Sequence, residues 1–448
     1  MILKVCIFSS MLFWGLQLTA QEKKWTLQEC IDYGVDQSLQ MQRQKLQNEN
    51  NSLNVRDAAL DLIPSINSIS PYSTFNYGRG IDPETNTYSN VQNKTVGGFG
   101  VGGGMTLFAG FSGVNRLRMA KIAKMQGLEQ IENLANSIAM NIMTAFFALV
   151  YAEEQIRITT EQLDNSALQL KKIEREYDLG RRAKSDLFDM QAQQASNEYR
   201  LISCRNDRTA ALLNLKHLMN YQEEIELEVD VTALIQTLPV AEDNDVKIIY
   251  EKAIQELPEA LISSYNRRYN QLNVYTTRAS LYPSISLNGG VSFGYYSSQS
   301  DLDFWKQISD KNRIGKYVGI NMSIPIFSGL ARRSNLSRAK NNYQSACIQQ
   351  QQTEQSIYTE IQKALLDLDS QTQQFGVAQK KESFSELAYN AGKKKYEQGL
   401  ITIIELNTTS DNLLQARFDL LKARLNYVVQ KRMVDFYKGV PLQNKVGK

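Results

Sequence analysis

Tyr317-Val318-Gly319-Ile320-Asn321-Met322-Ser323-Ile324-Pro325-Ile326 alternates cleanly between two kinds of side chain. Val318, Ile320, Met322, Ile324 and Ile326 fall on one face and Gly319, Asn321 and Ser323 on the other, the period of two that a β-strand imposes. The same pattern stands 219 residues earlier, where Phe99, Val101, Met105 and Leu107 oppose Gly98, Gly100, Gly102, Gly104 and Thr106. Upstream of the later run, Ile285, Leu287, Val291, Phe293 and Tyr295 oppose Ser286, Asn288, Ser292 and Gly294; the run 66–77 is less regular. Four strands follow, paired as two hairpins, at about 66–79, 96–108, 284–297 and 316–327. The loops 80–94 and 297–316 are long and polar. Tyr72, Phe75, Tyr77, Tyr295, Tyr296 and Tyr317 are candidates for an interfacial aromatic girdle.

The 219-residue offset extends over the whole chain. Leu62-Ile63-Pro64-Ser65-Ile66 returns as Leu281-Tyr282-Pro283-Ser284-Ile285, and Leu107-Phe108-Ala109-Gly110 as Ile326-Phe327-Ser328-Gly329. Tyr177-Asp178-Leu179-Gly180 returns as Tyr396-Glu397-Gln398-Gly399, and Asp186-Leu187 as Glu405-Leu406. A unit this long is no solenoid repeat, so two copies of one larger module are expected, at 21–239 and 240–448. Outside the strands both copies read as helix. Apolar residues recur at three- or four-residue steps over 113–178 and 332–396, giving rods of roughly 100 Å at about 1.5 Å per residue. Each rod ends at a glycine, Gly180 or Gly399, and a return helix follows at 185–218 or 403–437. The fold class is therefore mainly α with a small membrane β part, internally duplicated.

Composition narrows the function. Of 448 residues 42% are hydrophobic and 22% charged, with a net charge of +3, which excludes a disordered chain and gives no sign of nucleic-acid binding. Residues 1–20 read as a signal peptide, and beyond them no apolar run approaches the roughly 18 residues of a membrane helix, so any crossing must use strands. Cys30, Cys204 and Cys347 match neither a disulfide framework nor a metal site and read as small buried helix residues. His217, the single histidine, is expected to be partly buried and structural; with no His/Cys cluster, no enzyme chemistry, cofactor or metal is indicated. Gly98-x-Gly100-x-x-Gly103 lacks a βαβ context and reads as a curved strand. Arg116, Arg118, Arg332 and Arg333, just past the strands, can face lipid headgroups, pair between subunits or be solvated. Four strands cannot stand alone in lipid, because two open edges leave unpaired backbone groups there at several kcal/mol each. Several copies must pool their strands.

These residues carry a resemblance. The Pro64-Ser-Ile and Pro283-Ser-Ile entries, the Leu107-Phe-Ala-Gly and Pro325-Ile-Phe-Ser-Gly exits, and the tips Tyr177-x-x-Gly180-x5-Asp186-Leu187 and Tyr396-x-x-Gly399-x5-Glu405-Leu406 look like the TolC-like outer-membrane efflux channel family. The resemblance implies a homotrimer in the cell outer membrane that extends into the periplasm, with a twelve-stranded β-barrel continued by a twelve-helix α-barrel. It implies a passive exit duct of a tripartite efflux or type I secretion system, partnered by a periplasmic adaptor and an inner-membrane transporter. It further implies a channel constriction at Glu405, with Thr408 at the family's second acidic position, and tip contacts and gating at Tyr177, Gly180, Asp186, Tyr396 and Gly399. Among these is a tyrosine–aspartate contact that maps onto Tyr396 and Asp186. Ile401 stands where some members have an arginine, and Arg181 and Arg182 follow the first tip glycine instead. The alternative is a non-transporting coiled-coil envelope scaffold or adhesin. The cargo is left open.

Overall fold

The computed structural model describes residues 24–67, 72–81, 85–222, 227–230, 245–296, 304–311 and 314–443; the signal peptide expected at 1–20 lies outside them. The elements run β1 (Lys24–Trp25), α1 (Leu27–Gln37), α2 (Leu39–Leu60), β2 (Ser65–Asn67), β3 (Tyr72–Ile81), β4 (Tyr88–Phe108), α3 (Ser112–Asp178) and α4 (Lys184–Met219). They continue as β5 (Glu228–Val229), α5 (Val246–Glu256), α6 (Pro258–Ala279), β6 (Ser284–Tyr296), α7 (Phe304–Ser309), β7 (Ile314–Ser323), α8 (Ala331–Glu397) and α9 (Ile403–Tyr437). Helix starts Leu27, Leu39, Ser112 and Lys184 recur 219 residues later at Val246, Pro258, Ala331 and Ile403.

The two long helices, 67 residues each, act as spines. Toward the strands they pack with α2 and α6; toward the far end α3 pairs with α4 and α8 with α9. The main core lies midway along the spines. There Ile142, Phe146, Leu149 and Val150 of α3 meet Cys30 and Ile31 of α1, Leu215 and Met219 of α4, and Leu425 and Val428 of α9. Each large side chain removed from water contributes about 1.5–3 kcal/mol. One window of α3 is long and apolar enough to cross a membrane, contrary to the count by run length, but more than half of it is buried in this core. Cys30 and Cys204 are buried, whereas Cys347 is only partly covered. His217 corrects its reading too: it is exposed in the last turn of α4, where its carbonyl accepts the Asn220 N–H.

The sheet runs in the order β3-β4-β6-β7, with β2 also on β4, and every pairing is antiparallel. Across it Met105, Leu287 and Ile320 form one row and Phe99, Phe293 and Ile314 another, the two phenyl rings stacked at 4.8 Å. The opposite face carries rows of small or polar residues, Thr106-Ser286-Asn321 and Gly104-Asn288-Gly319. The apolar face is bare, with Val318 83% and Ile320 71% exposed. Among the described residues β7 pairs only with β6, and β3 only with β4, so both outer edges stay open.

The strands differ from the expected spans in particular ways. The stretch expected at 66–79 is β2 and β3, with 68–71 outside the described residues. β4 begins at Tyr88 rather than 96, so most of the expected 80–94 loop is sheet; the 297–316 loop contains α7 and the start of β7. β7 ends at Ser323 rather than 327 because Pro325 has no N–H to pair. Tyr317 belongs to the small-residue face, where its ring lies across Gly290, rather than to an outer girdle. The side chains of Tyr72, Phe75, Tyr77, Tyr295 and Tyr296 are outside the described ones.

Both strand-to-spine junctions turn through two consecutive left-handed residues: Gly110 (φ 60°) and Phe111 (φ 62°), then Gly329 (φ 59°) and Leu330 (φ 64°). For a bulky residue this conformation costs about 1–2 kcal/mol.

Candidate functional site at the helical tips

Each spine stops in the same way. Gly180 (φ 68°) donates to the Tyr177 carbonyl at 2.8 Å while Arg181 N–H reaches Glu176 O at 2.8 Å. Gly399 (φ 75°) donates to Tyr396 O at 3.0 Å while Leu400 N–H reaches Lys395 O at 2.9 Å. Such paired closures require a left-handed residue, and a Cβ at either glycine would meet open space, so backbone conformation and not crowding selects glycine here.

The return helices start differently. Ala183 precedes α4 without a side-chain cap. Thr402 opens α9 with a capping box: its N–H donates to Glu405 Oε2 at 2.9 Å, and Glu405 N–H donates to Thr402 Oγ1 at 3.3 Å. Glu405 therefore holds the N-terminus of its own helix, and its side chain is exposed. Thr408, one turn on and also exposed, donates its hydroxyl to Ile404 O at 2.9 Å. The carboxylate near a helix N-terminus is favoured by the dipole.

The two hairpins meet at a small apolar cluster of Ile173, Met190, Tyr396, Ile403 and Leu406. Tyr396 is 7% exposed, and its hydroxyl has no hydrogen-bond partner among the described residues. Among the described residues Tyr396 and Asp186, the pair expected to be in contact between tips, interact electrostatically without a hydrogen bond. Arg182 occupies the intervening place. Its guanidinium lies 4.6 Å from the Tyr396 ring centre, its Nε donates to Glu176 Oε2 at 2.8 Å, and it stands 3.8 Å from Asp186 Oδ2. Burial pushes the Tyr396 hydroxyl above its ordinary pKa; the Arg182 charge opposes this, and Asp186 and Glu176 reinforce it. The Glu176 hydrogen bond raises Arg182 in turn. Tyr177 and Asp186 are half-buried and Arg181 is exposed.

Arg182 is the residue that sequence reading left without a role. Its partner Tyr396 lies in the other copy, too distant in the chain for any local pattern to join them. The available signal was an arginine beside one tip glycine and its absence beside the other. Above the tips, polar contacts tie the hairpins together: Gln169 Nε2 donates to Tyr389 Oη at 3.2 Å, Gln193 Nε2 to Asp411 Oδ1 at 3.3 Å, and Arg417 pairs with Glu161 at 3.2 Å.

Comparison with known proteins decides the family. A sequence profile described as "Outer membrane efflux protein" matches residues 34–221 and again 249–437. The chain belongs to the outer membrane efflux protein family. Members are channels of the outer membrane, and this chain is an outer-membrane protein. Outer membrane protein TolC of Escherichia coli (strain K12) is 21% identical over 304 residues, 66% of this chain and 60% of that one. The chain thus spans about three-fifths of that relative's length. Alkaline protease secretion protein AprF of Pseudomonas aeruginosa is 19% identical over 318 residues, 70% of this chain and 63% of that one. Among solved structures, a crystal structure of CusC superposes with a TM-score of 0.79 at 16% identity, covering 92% of this chain and 91% of that one, which establishes the fold.

Proposed function

We propose that the protein is the passive outer-membrane duct of a tripartite efflux or type I secretion system. The observation that carries the proposal is a sheet four strands wide, β2 and β3 sharing one side of β4, apolar on one face and small and polar on the other, with both edges open among the described residues. In hydrocarbon each open edge must pair, and the only sheet of matching tilt and face available is that of another copy. Three protomers pool twelve strands into a closed barrel, β7 of one pairing with β3 of the next. The four helices at each level supply twelve for a tube across the periplasm. The polar rows then face the lumen and the Ile320 row faces lipid.

Transport through such a duct needs no catalytic residue. What the chain contributes is a wall and a mouth. At the mouth three copies of Glu405 and Thr408 meet near the axis, and a ring of like carboxylates favours cations. Gly180 and Gly399 set the tip turns, and the Arg182, Asp186, Glu176 and Tyr396 group, with Tyr177 beside it, holds the two hairpins of a protomer together. Parting the hairpins widens the mouth. Energy and cargo choice belong to an inner-membrane transporter, joined through a periplasmic adaptor. Relatives named for cation efflux and for protease secretion match the same chain, so the duct leaves the cargo class open.

The test is fractionation followed by planar-bilayer recording. The expected result is a trimer in the outer-membrane fraction that forms cation-preferring channels. Recovery as a soluble monomer from the periplasm would overturn the proposal in favour of the scaffold reading.

A further inference from the structure

The charge of this chain is unevenly placed. Residues 85–128, 260–300 and 311–353 contain no Asp or Glu, and these windows hold both strand exits, α6 beyond its first two residues, and the first turns of both spines. Within the seven helical residues nearest the strands on each helix, a rise of about 9 Å at 1.5 Å per residue, stand Arg56, Arg116, Arg118, Arg278, Arg332 and Arg333. No lysine is among them. The only acids at that level are Asp57 and Asp61.

Two of the six arginines are occupied: Arg56 lies 3.6 Å from Asp57, and Arg332 donates to the Ser280 carbonyl. Arg116, Arg118, Arg278 and Arg333 are exposed, and their guanidinium groups meet no carboxylate among the described residues. Symmetry-related neighbours cannot neutralise them, since each copy brings the same excess of six arginines over two aspartates. A charged ring of this size needs anions from outside the protein.

We propose that this arginine collar binds the phosphate groups of anionic phospholipids in the membrane leaflet on the helical side of the sheet. The inference rests on the reading that the sheet crosses a membrane. A headgroup layer is about 5–8 Å thick, which matches the depth of the tier. Arginine suits the task because its planar donors engage phosphate in pairs, where lysine offers a point charge. Strands buried in hydrocarbon fix the depth of the protein only loosely; a ring of phosphate contacts at one level would pin it.

The experiment uses the full-length trimer with vesicles of phosphatidylcholine alone or with about one-third phosphatidylglycerol. Lipid retained by the extracted trimer is counted by mass spectrometry. The test variant combines Arg116→Gln, Arg118→Gln, Arg278→Gln and Arg333→Gln. The control combines Lys121→Gln, Lys124→Gln, Arg338→Gln and Lys340→Gln, an equal charge change about 10–18 Å along the spines from their first residues, beyond the Debye length for most of the set. Each arginine lost lowers phosphatidylglycerol affinity about fivefold, so the test variant falls at least about a hundredfold while the control stays within about threefold. Single substitutions supply the same readout if the combined variant does not assemble. Equal retention by wild type and test variant overturns the inference. So does unchanged retention with altered ion selectivity, which would place the arginines in the lumen, or displacement of the lipid by equimolar inorganic phosphate. Failure of wild type to enter phosphatidylcholine vesicles would instead refute the membrane-spanning reading.

Discussion

Replacing Arg182 by glutamine tests how the helical tips are held together. Arg182 and Glu176 are 22% and 28% exposed, between surface and core, and their hydrogen bond is 2.8 Å long. A charge-assisted bond in that setting stabilises by about 1–2 kcal/mol. The guanidinium over the Tyr396 ring at 4.6 Å adds about 1 kcal/mol, and the 3.8 Å approach to Asp186 adds less. Glutamine keeps part of the first term, so the net loss is about 2 kcal/mol, a roughly thirtyfold rise in local opening. Amide hydrogen exchange of residues 176–187 and 396–406 in the detergent-solubilised protein reads this directly. Combining Arg182→Gln with Tyr396→Leu should give a coupling energy near 1 kcal/mol. Tyr396→Phe, by contrast, keeps the ring and deletes a buried hydroxyl that has no partner, so it should be neutral or slightly stabilising. If Arg182→Gln changes exchange by less than about twofold, the reasoning fails. It also fails if Tyr396→Phe loosens the tips as much as the arginine variant does, because the hydroxyl would then be bonding across protomers.

Other perturbations address the remaining parts. Glu405→Gln can still close the capping box on Thr402 while removing the charge, so cation preference in bilayer recordings should drop with little change in melting; Glu405→Ala should also destabilise by about 0.5–1 kcal/mol. Ile320→Lys puts a charge on the apolar face at about 2–4 kcal/mol per copy and should abolish recovery in the membrane fraction, whereas the neighbouring Asn321→Lys, on the polar face, should insert normally and alter conductance. Glu259 is pushed above the ordinary carboxylate range by burial first and by the Glu360 charge second. Its folded pKa exceeds its unfolded one, so its contribution is fully present below the usual value and is lost as pH rises through the raised one. Glu259→Gln should accordingly raise the melting temperature near neutral pH and flatten its pH dependence, and equal profiles for the two proteins would count against the assignment.

Legibility followed the range of the forces involved. Period-two alternation exposed the β6–β7 hairpin because each row is either apolar or small throughout, as in Met105-Leu287-Ile320 against Thr106-Ser286-Asn321. The start of β4 was hidden because Tyr88-Ser89-Asn90-Val91-Gln92-Asn93-Lys94 is polar on both faces, and backbone pairing alone extends the strand. The end of β7 was legible in principle, since Pro325 forbids continuation, yet the apolar Ile324 and Ile326 kept the alternation alive past it. At the mouth, Thr402-x-x-Glu405 spells a capping box, a local signal that a reading of Glu405 as constriction passed over. The Arg182–Tyr396 stack joins residues of different repeats, so no local pattern pairs them, and the arginine near one tip glycine was the only hint.

The two left-handed elbows at Gly110-Phe111 and Gly329-Leu330 have a bearing on engineering. Each keeps a large, largely exposed side chain in a conformation that glycine would adopt at less cost, and it does so at the same rung of both copies. A fixed bend sets the direction in which each spine leaves the sheet, so the angle travels with the elbow rather than with the sheet or the helices. A chimera that grafts these strands onto another pair of long helices must therefore carry residues 109–112 and 328–331 along with them, or the transplanted stalks will splay.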